Sequence, residues 1–161
     1  MKTLFKMLSK NISKEVHIKK AVLKDLNQVY NLGSKFEDSL KASKIKSVNF
    51  HEKAEFKEFI KHPKENIFLV AVLNKEIIGF LYARIISSDW CMLDDLAVDK
   101  IYQNHGVGSL LLNNFYTLLK KKKITYVQIL EEIHHKKTRH FWRSKGFKEE
   151  KVFVWADKLI K

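Results

Sequence analysis

Cysteine, proline and arginine are all scarce in this chain of 161 residues. It has one cysteine and one proline, and its arginines are limited to Arg84, Arg139 and Arg143 among 31 basic residues. A single Cys91 excludes an intramolecular disulfide and a zinc site built on several cysteines. The shortage of arginine argues against sequence-specific DNA recognition, because bidentate contacts to bases favour the planar guanidinium group.

Acidic residues are also few, since 18 Asp and Glu stand against 31 Lys and Arg, for a formal net charge of +13. Hydrophobic residues make up 45% and aromatic residues 12%, too large an apolar share for a disordered basic tail. We therefore expect a folded core under a lysine-rich surface. Such a surface attracts anions without fixed geometry, which keeps a phosphate-bearing partner open.

Long hydrophobic runs are absent as well. The N-terminal sequence MKTLFKMLSKNIS is faintly similar to a signal peptide, but Lys6 and Lys10 interrupt its apolar part and no cleavage-site pattern follows. No stretch approaches the ~18 apolar residues of a membrane span. We predict a soluble, cytoplasmic protein without membrane association, with residues 1–15 as an N-terminal extension and residues 16–161 as a single domain.

Strand-like and helix-like segments alternate along the chain. The apolar pattern predicts strands over residues 16–21, 67–73, 76–86, 91–98, 124–130 and 147–158. Helical spacing predicts helices over residues 24–32, 52–61, 106–122 and 136–145, with a short helix and a loop over residues 36–50. Gly33 and Gly146 suit the helix ends, and Asn74-Lys75 suits a hairpin turn. This order predicts a mixed α/β layered domain.

A glycine-containing segment, Gln103-Asn104-His105-Gly106-Val107-Gly108, separates a predicted strand from the longest predicted helix. Backbone N–H groups at a helix N-terminus lack partners within the helix, and the helix dipole adds positive potential there. Gly106 and Gly108 remove side chains that would block a phosphate. The pattern fits a pyrophosphate cradle, and two glycines that merely open a helix are the alternative. It is neither a Walker A loop nor a dinucleotide fingerprint.

Several segments together resemble the GNAT N-acetyltransferase superfamily. Its acetyl-CoA-binding core is similar to Leu93-Asp94-Asp95-Leu96-Ala97-Val98, the loop Gln103-x-x-Gly106-x-Gly108 and the helix with Leu110-Leu111-Leu112. Other family segments resemble Ile18-Lys19-Lys20-Ala21-x-x-x-Asp25-Leu26 and Phe141-Trp142-Arg143-Ser144-Lys145-Gly146-Phe147. The resemblance implies a mostly antiparallel central sheet of about six to seven strands flanked by about four helices.

The resemblance also implies a cofactor site. Acetyl-CoA would bind where the strands over residues 91–98 and 124–130 splay apart, with its pantetheine along the first strand and its pyrophosphate on the glycine loop. No metal is implied. The implied cofactor-binding residues are Leu96, Ala97, Val98, Gln103, Asn104, His105, Gly106, Val107, Gly108, Ser109, Lys136, Arg139, Trp142 and Arg143.

The acetyl group would pass directly to a primary amine of a small molecule or a protein, and a protonated amine needs a base to remove its proton. Asp94 is the favoured base, because its position resembles an acidic residue of spermidine/spermine-type acetyltransferases. Asp95 is the second choice and should point to the opposite face of a regular strand. Glu131, with Glu132, is a further candidate that would act through water. The alternative for either aspartate is a structural contact to backbone or to a lysine.

One residue departs from the family pattern. Trp142 stands where the family has the tyrosine that protonates the leaving thiol, and an indole N–H does not release its proton. His140, His135 or solvent would then supply the proton. This departure supports an alternative function, a domain that binds CoA with little catalysis and acts as a sensor or interaction module. A third alternative, an RNA-associated protein, rests on the net charge alone.

The acceptor site has weaker signals. Candidates for its walls are Phe36, Phe50, Tyr82 and Trp90, with core packing as an equal alternative. Cys91 is expected in the core or in the cleft wall. The net charge favours an acidic or near-neutral acceptor unless Asp94 and Asp95 reverse the sign locally. A homodimer is a further expectation from the resemblance.

Overall fold

The structure, a computed structural model, describes residues 12–37, 52–131, 133–152 and 154. The chain divides into two compact units between Gln128 and Ile129. The first unit holds α1 (Ile12–Glu15), β1 (His17–Lys20), α2 (Leu26–Glu37), α3 (Lys53–Lys61), β2 (Asn66–Leu73), β3 (Glu76–Ile85), β4 (Trp90–Val98), α4 (Val107–Lys122) and β5 (Tyr126–Gln128). Short 3-10 helices precede α2 and α4, and the second unit holds α5 (Lys136–Ser144). The boundary between an extension and a single domain stays a prediction.

The first unit is built on a five-stranded sheet whose strands lie side by side in chain order. β1 to β4 are antiparallel neighbours, and β5 runs parallel to β4. Asn74 and Lys75 join β2 to β3 with left-handed φ angles of 50° and 70°, as a two-residue hairpin turn requires. The mixed, mostly antiparallel α/β sheet of the GNAT-like prediction is confirmed, with fewer strands in the described residues than the six to seven expected.

The missing strand is the one predicted over residues 147–158. Residues 147–152 and 154 of the second unit have no strand structure. Val152 and Val154 are 77% and 91% exposed, so this alternating apolar pattern packs against no neighbouring strand within the described residues of that unit. Alternation alone does not make a strand, because the backbone groups need a partner. The strand prediction is wrong for these described residues.

Helices cover both faces of the sheet. On one face, the ring of Phe56 from α3 lies 5.8 Å from that of Phe68 and 5.9 Å from that of Phe80. On the other face, Leu111 of α4 comes within 3.4 Å of the position that a Cβ on Gly79 would occupy. Each fully buried side chain of this kind stabilises the fold by about 1.5–3 kcal/mol.

Gly33 does not end a helix, contrary to the prediction. α2 continues to Glu37, and a Cβ at residue 33 would lie 3.6 Å from the rings of Phe56 and Phe80. Val29 and Leu32 are 0% and 3% exposed, so α2 is held by packing. That packing outweighs the ~1 kcal/mol that a glycine costs inside a helix. Residues 38–50, which complete the predicted helix and loop, lie outside the described residues.

Among the described residues, no helix combines the length with the apolar composition needed to cross a membrane.

Candidate active site

The pairing of β4 with β5 is short, and β4 continues beyond it. Trp90, Cys91 and Met92 of β4 pair with Tyr126, Val127 and Gln128, where β5 ends. β4 continues to Val98, so residues 93–98 have a strand neighbour on the β3 side alone within the described part of the chain. The backbone groups on the other side form an open edge. The open edge lies where the splayed strand pair was predicted, and the splay itself stays a prediction, because β5 ends at the last paired residue.

The predicted cofactor residues Leu96, Ala97 and Val98 lie along this open edge. All three are half-buried. An open strand edge binds an extended ligand through main-chain hydrogen bonds, while side chains beside it supply shape. The edge therefore suits the amide-containing pantetheine arm of coenzyme A.

The loop after β4 is fixed by two side chains. The Gln103 amide donates a hydrogen bond of 2.9 Å from Nε2 to the carbonyl of Val98. Asp99 accepts a hydrogen bond of 3.3 Å from the backbone of Ile101 and one of 2.8 Å from Lys35 Nζ. The Lys35 hydrogen bond is the main reason why the pKa of Asp99 is lowered. Gln103 thus holds the loop against the end of β4.

The loop leads into the N-terminus of α4 through left-handed backbone. Asn104 and Gly106 have φ angles of 64° and 82°. Gly106 is the N-cap residue and has no side chain to cap the first N–H groups of α4. Among the described residues, a Cβ on Gly106 would meet only Ser13, at 3.7 Å. Uncapped N–H groups beside an exposed glycine fit a pyrophosphate, because the cradle stays open and carries the positive end of the helix dipole.

A β-bulge interrupts β4 at the two candidate bases. Tyr82 pairs with Asp95 and Ala83 pairs with Leu93, so Asp94 is the extra residue. Arg84 donates hydrogen bonds from Nε and Nη2 to the two oxygens of Asp94, at 2.8 and 2.7 Å. Tyr82 and Arg84 are two residues apart in β3, so their side chains lie on the same face of the sheet. Residues that pair directly across neighbouring strands also have their side chains on one face. Both carboxylates therefore lie on the face covered by α2 and α3, which corrects the expectation of opposite faces.

Tyr82 lies beside both carboxylates. Its side chain is 0% exposed, and its hydroxyl donates a hydrogen bond of 3.1 Å to Asn66 Oδ1. Burial raises the pKa of Tyr82 well above its usual value, and the charges of Asp94, Asp95 and Glu55 raise it further. Its ring stacks on Phe59 with centroids 4.1 Å apart. Tyr82 is thus a core residue rather than an exposed pocket wall.

The remaining candidate wall residues and Cys91 have different positions. Phe50 and the side chain of Phe36 lie outside what the structure describes. Trp90 is half-buried with its ring 6.3 Å from that of Tyr126, and Cys91 is 0% exposed. Burial raises the pKa of the Cys91 thiol to about 12, so it is a core residue, as expected.

In the second unit, the two arginines predicted to bind the cofactor contact a carboxylate. Arg139 donates from Nε at 2.9 Å, and Arg143 donates from Nε at 2.8 Å, both to Glu149 Oε1. Arg139 also donates from Nη1 to the carbonyl of Ile133 at 2.9 Å. These arginines lower the pKa of Glu149 to about 2. Arg139 therefore cross-links its own unit. A structural role is the alternative to the cofactor-binding role predicted for it.

The other candidates of the second unit divide by exposure. Trp142 is 7% exposed, and its ring lies 5.1 Å from those of Phe141 and Phe147. His135, Lys136 and His140 are exposed. Glu132 lies outside the described residues.

Glu131 is the candidate base of the second unit. Its pKa is raised mainly by burial and secondarily by the charge of Glu149. Its Oε1 atom is buried and has no hydrogen-bond partner within the described residues. A buried carboxyl with a raised pKa keeps its place as a candidate proton acceptor.

Arg84 is the residue of this region that the sequence did not reveal. Its signal is weak: it is one of three arginines, and it stands two residues after Tyr82 in a predicted strand. Its partner Asp94 is recognisable only once the register between β3 and β4 is known.

The open-edged strand, the glycine loop and the N-terminus of α4 follow one another along the chain in the order that the resemblance implies. The family model for the acetyltransferase (GNAT) family matches residues 33–147, and the chain belongs to this family. It is therefore an acetyltransferase by family, and acetyl-CoA is the cosubstrate of that family.

Solved structures of the same fold have low sequence identity to this chain. An aminoglycoside acetyltransferase, meta-AAC0020, from an uncultured soil metagenomic sample is 21% identical, with a TM-score of 0.76 over 92% of this chain and 99% of that one. The PaiA N-acetyltransferase from Thermoplasma acidophilum, in complex with coenzyme A, is 22% identical, with a TM-score of 0.77 over 86% and 92%. Ard1 from Thermoplasma volcanium is 19% identical, with a TM-score of 0.69 over 83% of each chain. No curated protein matches the chain significantly.

Proposed function

We propose that this chain transfers the acetyl group of acetyl-CoA to a primary amine of a small molecule or a protein. The observation that carries the proposal is the edge of β4 after Met92, which is open within the described residues, together with the N-terminus of α4, whose N-cap residue Gly106 supplies no side-chain cap. One protein of similar fold is an N-acetyltransferase with coenzyme A bound, and another is an aminoglycoside acetyltransferase, so the activities of both support an amine acceptor.

The residues that would hold the cofactor are those of the open edge and the loop. Residues 96–98 would pair with the pantetheine arm, and the N–H groups of Val107 and Gly108 would bind the pyrophosphate. When bound, acetyl-CoA supplies an acetyl group activated as a thioester. Hydrogen bonds from Gln103 and Lys35 keep this loop in place before the cofactor binds.

The proton of the acceptor amine is taken by the carboxylate pair at the bulge. An ammonium group has no free electron pair, so its proton must pass to a base before nitrogen can attack a carbonyl carbon. Asp94 and Asp95 place two carboxylates on one face of β4, and Asp94 is 17% exposed. Arg84 binds both oxygens of Asp94 and offsets its charge, so the acidic or near-neutral acceptor favoured by the net charge of +13 stays a prediction.

The proton for the leaving thiol comes from water in this proposal. Trp142 is buried in the second unit and its indole cannot donate a proton as an acid. His140 is exposed on α5 and stays a candidate. A cytoplasmic location and a homodimer stay predictions.

A tryptophan at residue 142, in place of the family's tyrosine, favours a second candidate function, a domain that binds acetyl-CoA with little turnover. Calorimetry with acetyl-CoA, followed by a thiol-release assay against polyamines, amino acids, aminoglycosides and N-terminal peptides, separates the two. We expect saturable binding by the wild type, its loss in Gly108→Trp, and thiol release with at least one amine. Binding without thiol release from any amine would favour the second candidate, and an absence of saturable binding would contradict both.

A further inference from the structure

The beginning of β1 and the end of β4 lie at the same end of the sheet. His17 pairs with Val72, and Gly79 pairs with Val98. Val72 itself pairs with Ile77, two residues before Gly79 in β3. Because α1 directly precedes β1 and the glycine loop directly follows β4, both segments lie at this end of the sheet. The strand register therefore brings α1 to the glycine loop, although the two are far apart in the sequence.

Ser13 is the residue of α1 that lies against the loop. Its Cβ lies 3.7 Å from the position that a Cβ on Gly106 would occupy. Gly106 is the N-cap residue of α4, so Ser13 lies beside the beginning of the helix proposed to bind the pyrophosphate. Ser13 is half-buried, which leaves part of it accessible to a ligand.

The residues after Ser13 hold α1 in place. Val16 is 8% exposed, and its N–H donates a hydrogen bond of 3.1 Å to the carbonyl of Ile12. β1 begins at the next residue and pairs with β2. Lys14 and Glu15 are both exposed and carry opposite charges. What α1 adds beside the loop is therefore a positioned hydroxyl group rather than net charge.

We propose that Ser13 is a further cofactor-binding residue, whose hydroxyl donates a hydrogen bond to the pyrophosphate of acetyl-CoA at the N-terminus of α4. Serine hydroxyls are common donors to phosphate oxygens, and a charged acceptor strengthens such a bond. The inference rests on the proposed function and deepens it, because it extends the cofactor site to α1, within the predicted N-terminal extension. The alternative is a structural role, in which the hydroxyl accepts a hydrogen bond from the first N–H groups of α4.

The test compares Ser13→Ala, Ser13→Thr and Ser13→Asp with the wild type, each as the full chain. Calorimetry measures the affinity for coenzyme A and for its form without the 3′-phosphate, which keeps the pyrophosphate. Urea unfolding without ligand measures the stability. Ser87→Ala is the matched control, because it removes another serine hydroxyl, which donates a hydrogen bond of 2.7 Å to Asp89 before β4 begins.

Ser13→Ala should weaken the binding of both ligands about threefold to tenfold, because one hydrogen bond is lost. Ser13→Thr keeps the hydroxyl and should bind within about twofold of the wild type. Ser13→Asp should weaken binding about tenfold or more, because its carboxylate repels the pyrophosphate. The same carboxylate lies near the positive end of the α4 dipole, so the urea midpoint should equal or exceed that of the wild type. Ser87→Ala should bind both ligands as the wild type does.

Wild-type affinity in Ser13→Asp would overturn the inference, because Asp caps a helix as well as Ser does and the role would then be structural. Wild-type affinity in Ser13→Ala, or a loss seen only with the ligand that has the 3′-phosphate, would overturn it too. If Ser13→Asp does not fold, as judged by circular dichroism, Ser13→Ala with the two ligands decides. A wild type that binds neither ligand would contradict the proposed function itself, whereas equal binding by the wild type and all Ser13 variants would contradict this inference alone.

Discussion

The Gln103 side chain spans the turn between β4 and α4 and donates a hydrogen bond of 2.9 Å to the carbonyl of Val98. This contact joins the end of the open strand edge to the beginning of the glycine loop. The two parts proposed to bind coenzyme A are thereby held as one surface.

Gln103→Ala should weaken acetyl-CoA binding about threefold to tenfold, the value of one hydrogen bond of about 0.5–1.5 kcal/mol. Calorimetry provides the measurement. Asn114→Ala is the matched control, since it removes another exposed side-chain hydrogen bond of 2.9 Å, to the carbonyl of Leu110 within α4. Equal affinities for Gln103→Ala and the wild type would show that the loop does not depend on this contact.

Gly106→Ala and Gly146→Ala test whether the glycine loop is a ligand site. Both residues have left-handed backbone, with φ angles of 82° and 88°, and the described part of the chain leaves room for a Cβ at each. Each substitution should destabilise the protein by about 1–2 kcal/mol. Only Gly106→Ala should also weaken acetyl-CoA binding, because residue 106 borders the uncapped N–H groups of α4. Urea unfolding measures the stability and calorimetry measures the acetyl-CoA affinity. Equal affinities of the two variants would contradict a ligand site at the glycine loop.

Glu149 should make stability depend on pH at the acidic end. Arg139 and Arg143 lower its pKa to about 2 in the folded protein, below its ordinary value near 4.5. A lowered pKa stabilises the fold above the unfolded-state value, and this contribution is lost as the pH falls toward the folded-state value. Glu149→Gln should therefore lower Tm at pH 7, with the difference shrinking between pH 4.5 and pH 2.

The control for Glu149 is Glu58→Gln, which breaks an exposed pair with Lys61 within one helix. Exposed ion pairs contribute little to stability, because solvent screens the two charges, so its Tm should hardly change. If Glu149→Gln has the Tm of the wild type at pH 7, the contacts of Glu149 with Arg139 and Arg143 do not stabilise the protein.

Cys91 should be inert in the folded protein. Its side chain is 0% exposed, and burial raises its thiol pKa to about 12, so almost no thiolate exists at neutral pH. We expect iodoacetamide to leave the native protein unmodified and to alkylate it once in urea, as measured by mass spectrometry. Rapid alkylation of the native protein would contradict the burial of Cys91.

Local patterns predicted the helices and strands that carry the cofactor features. The hairpin at Asn74-Lys75, the strand over β4 and the helix after the glycine loop each depend on residues close in sequence, and the structure confirms them. The strand predicted over residues 147–158 has the right alternation, but its described part lacks a pairing partner, which a local pattern cannot supply.

The candidate site was less predictable because its contacts are non-local. Arg84 and Asp94 are ten residues apart and meet only through the register of β3 and β4. The bulge that turns Asp94 onto the face of Asp95 depends on that register too. Glu149 meets Arg139 and Arg143 across another non-local contact, which the charge pattern of α5 alone does not indicate.

The central claim is acetyl transfer to an amine at the carboxylate pair of β4. Its most direct test is mass-spectrometric detection of N-acetylated product from isotopically labelled acetyl-CoA, across the amine panel. The double variant Asp94→Asn/Asp95→Asn is compared with the wild type after calorimetry shows that both bind acetyl-CoA. The account predicts labelled product from the wild type and at least a hundredfold less, on the order of the contribution of a general base, from the double variant. Equal product from the two proteins would contradict it.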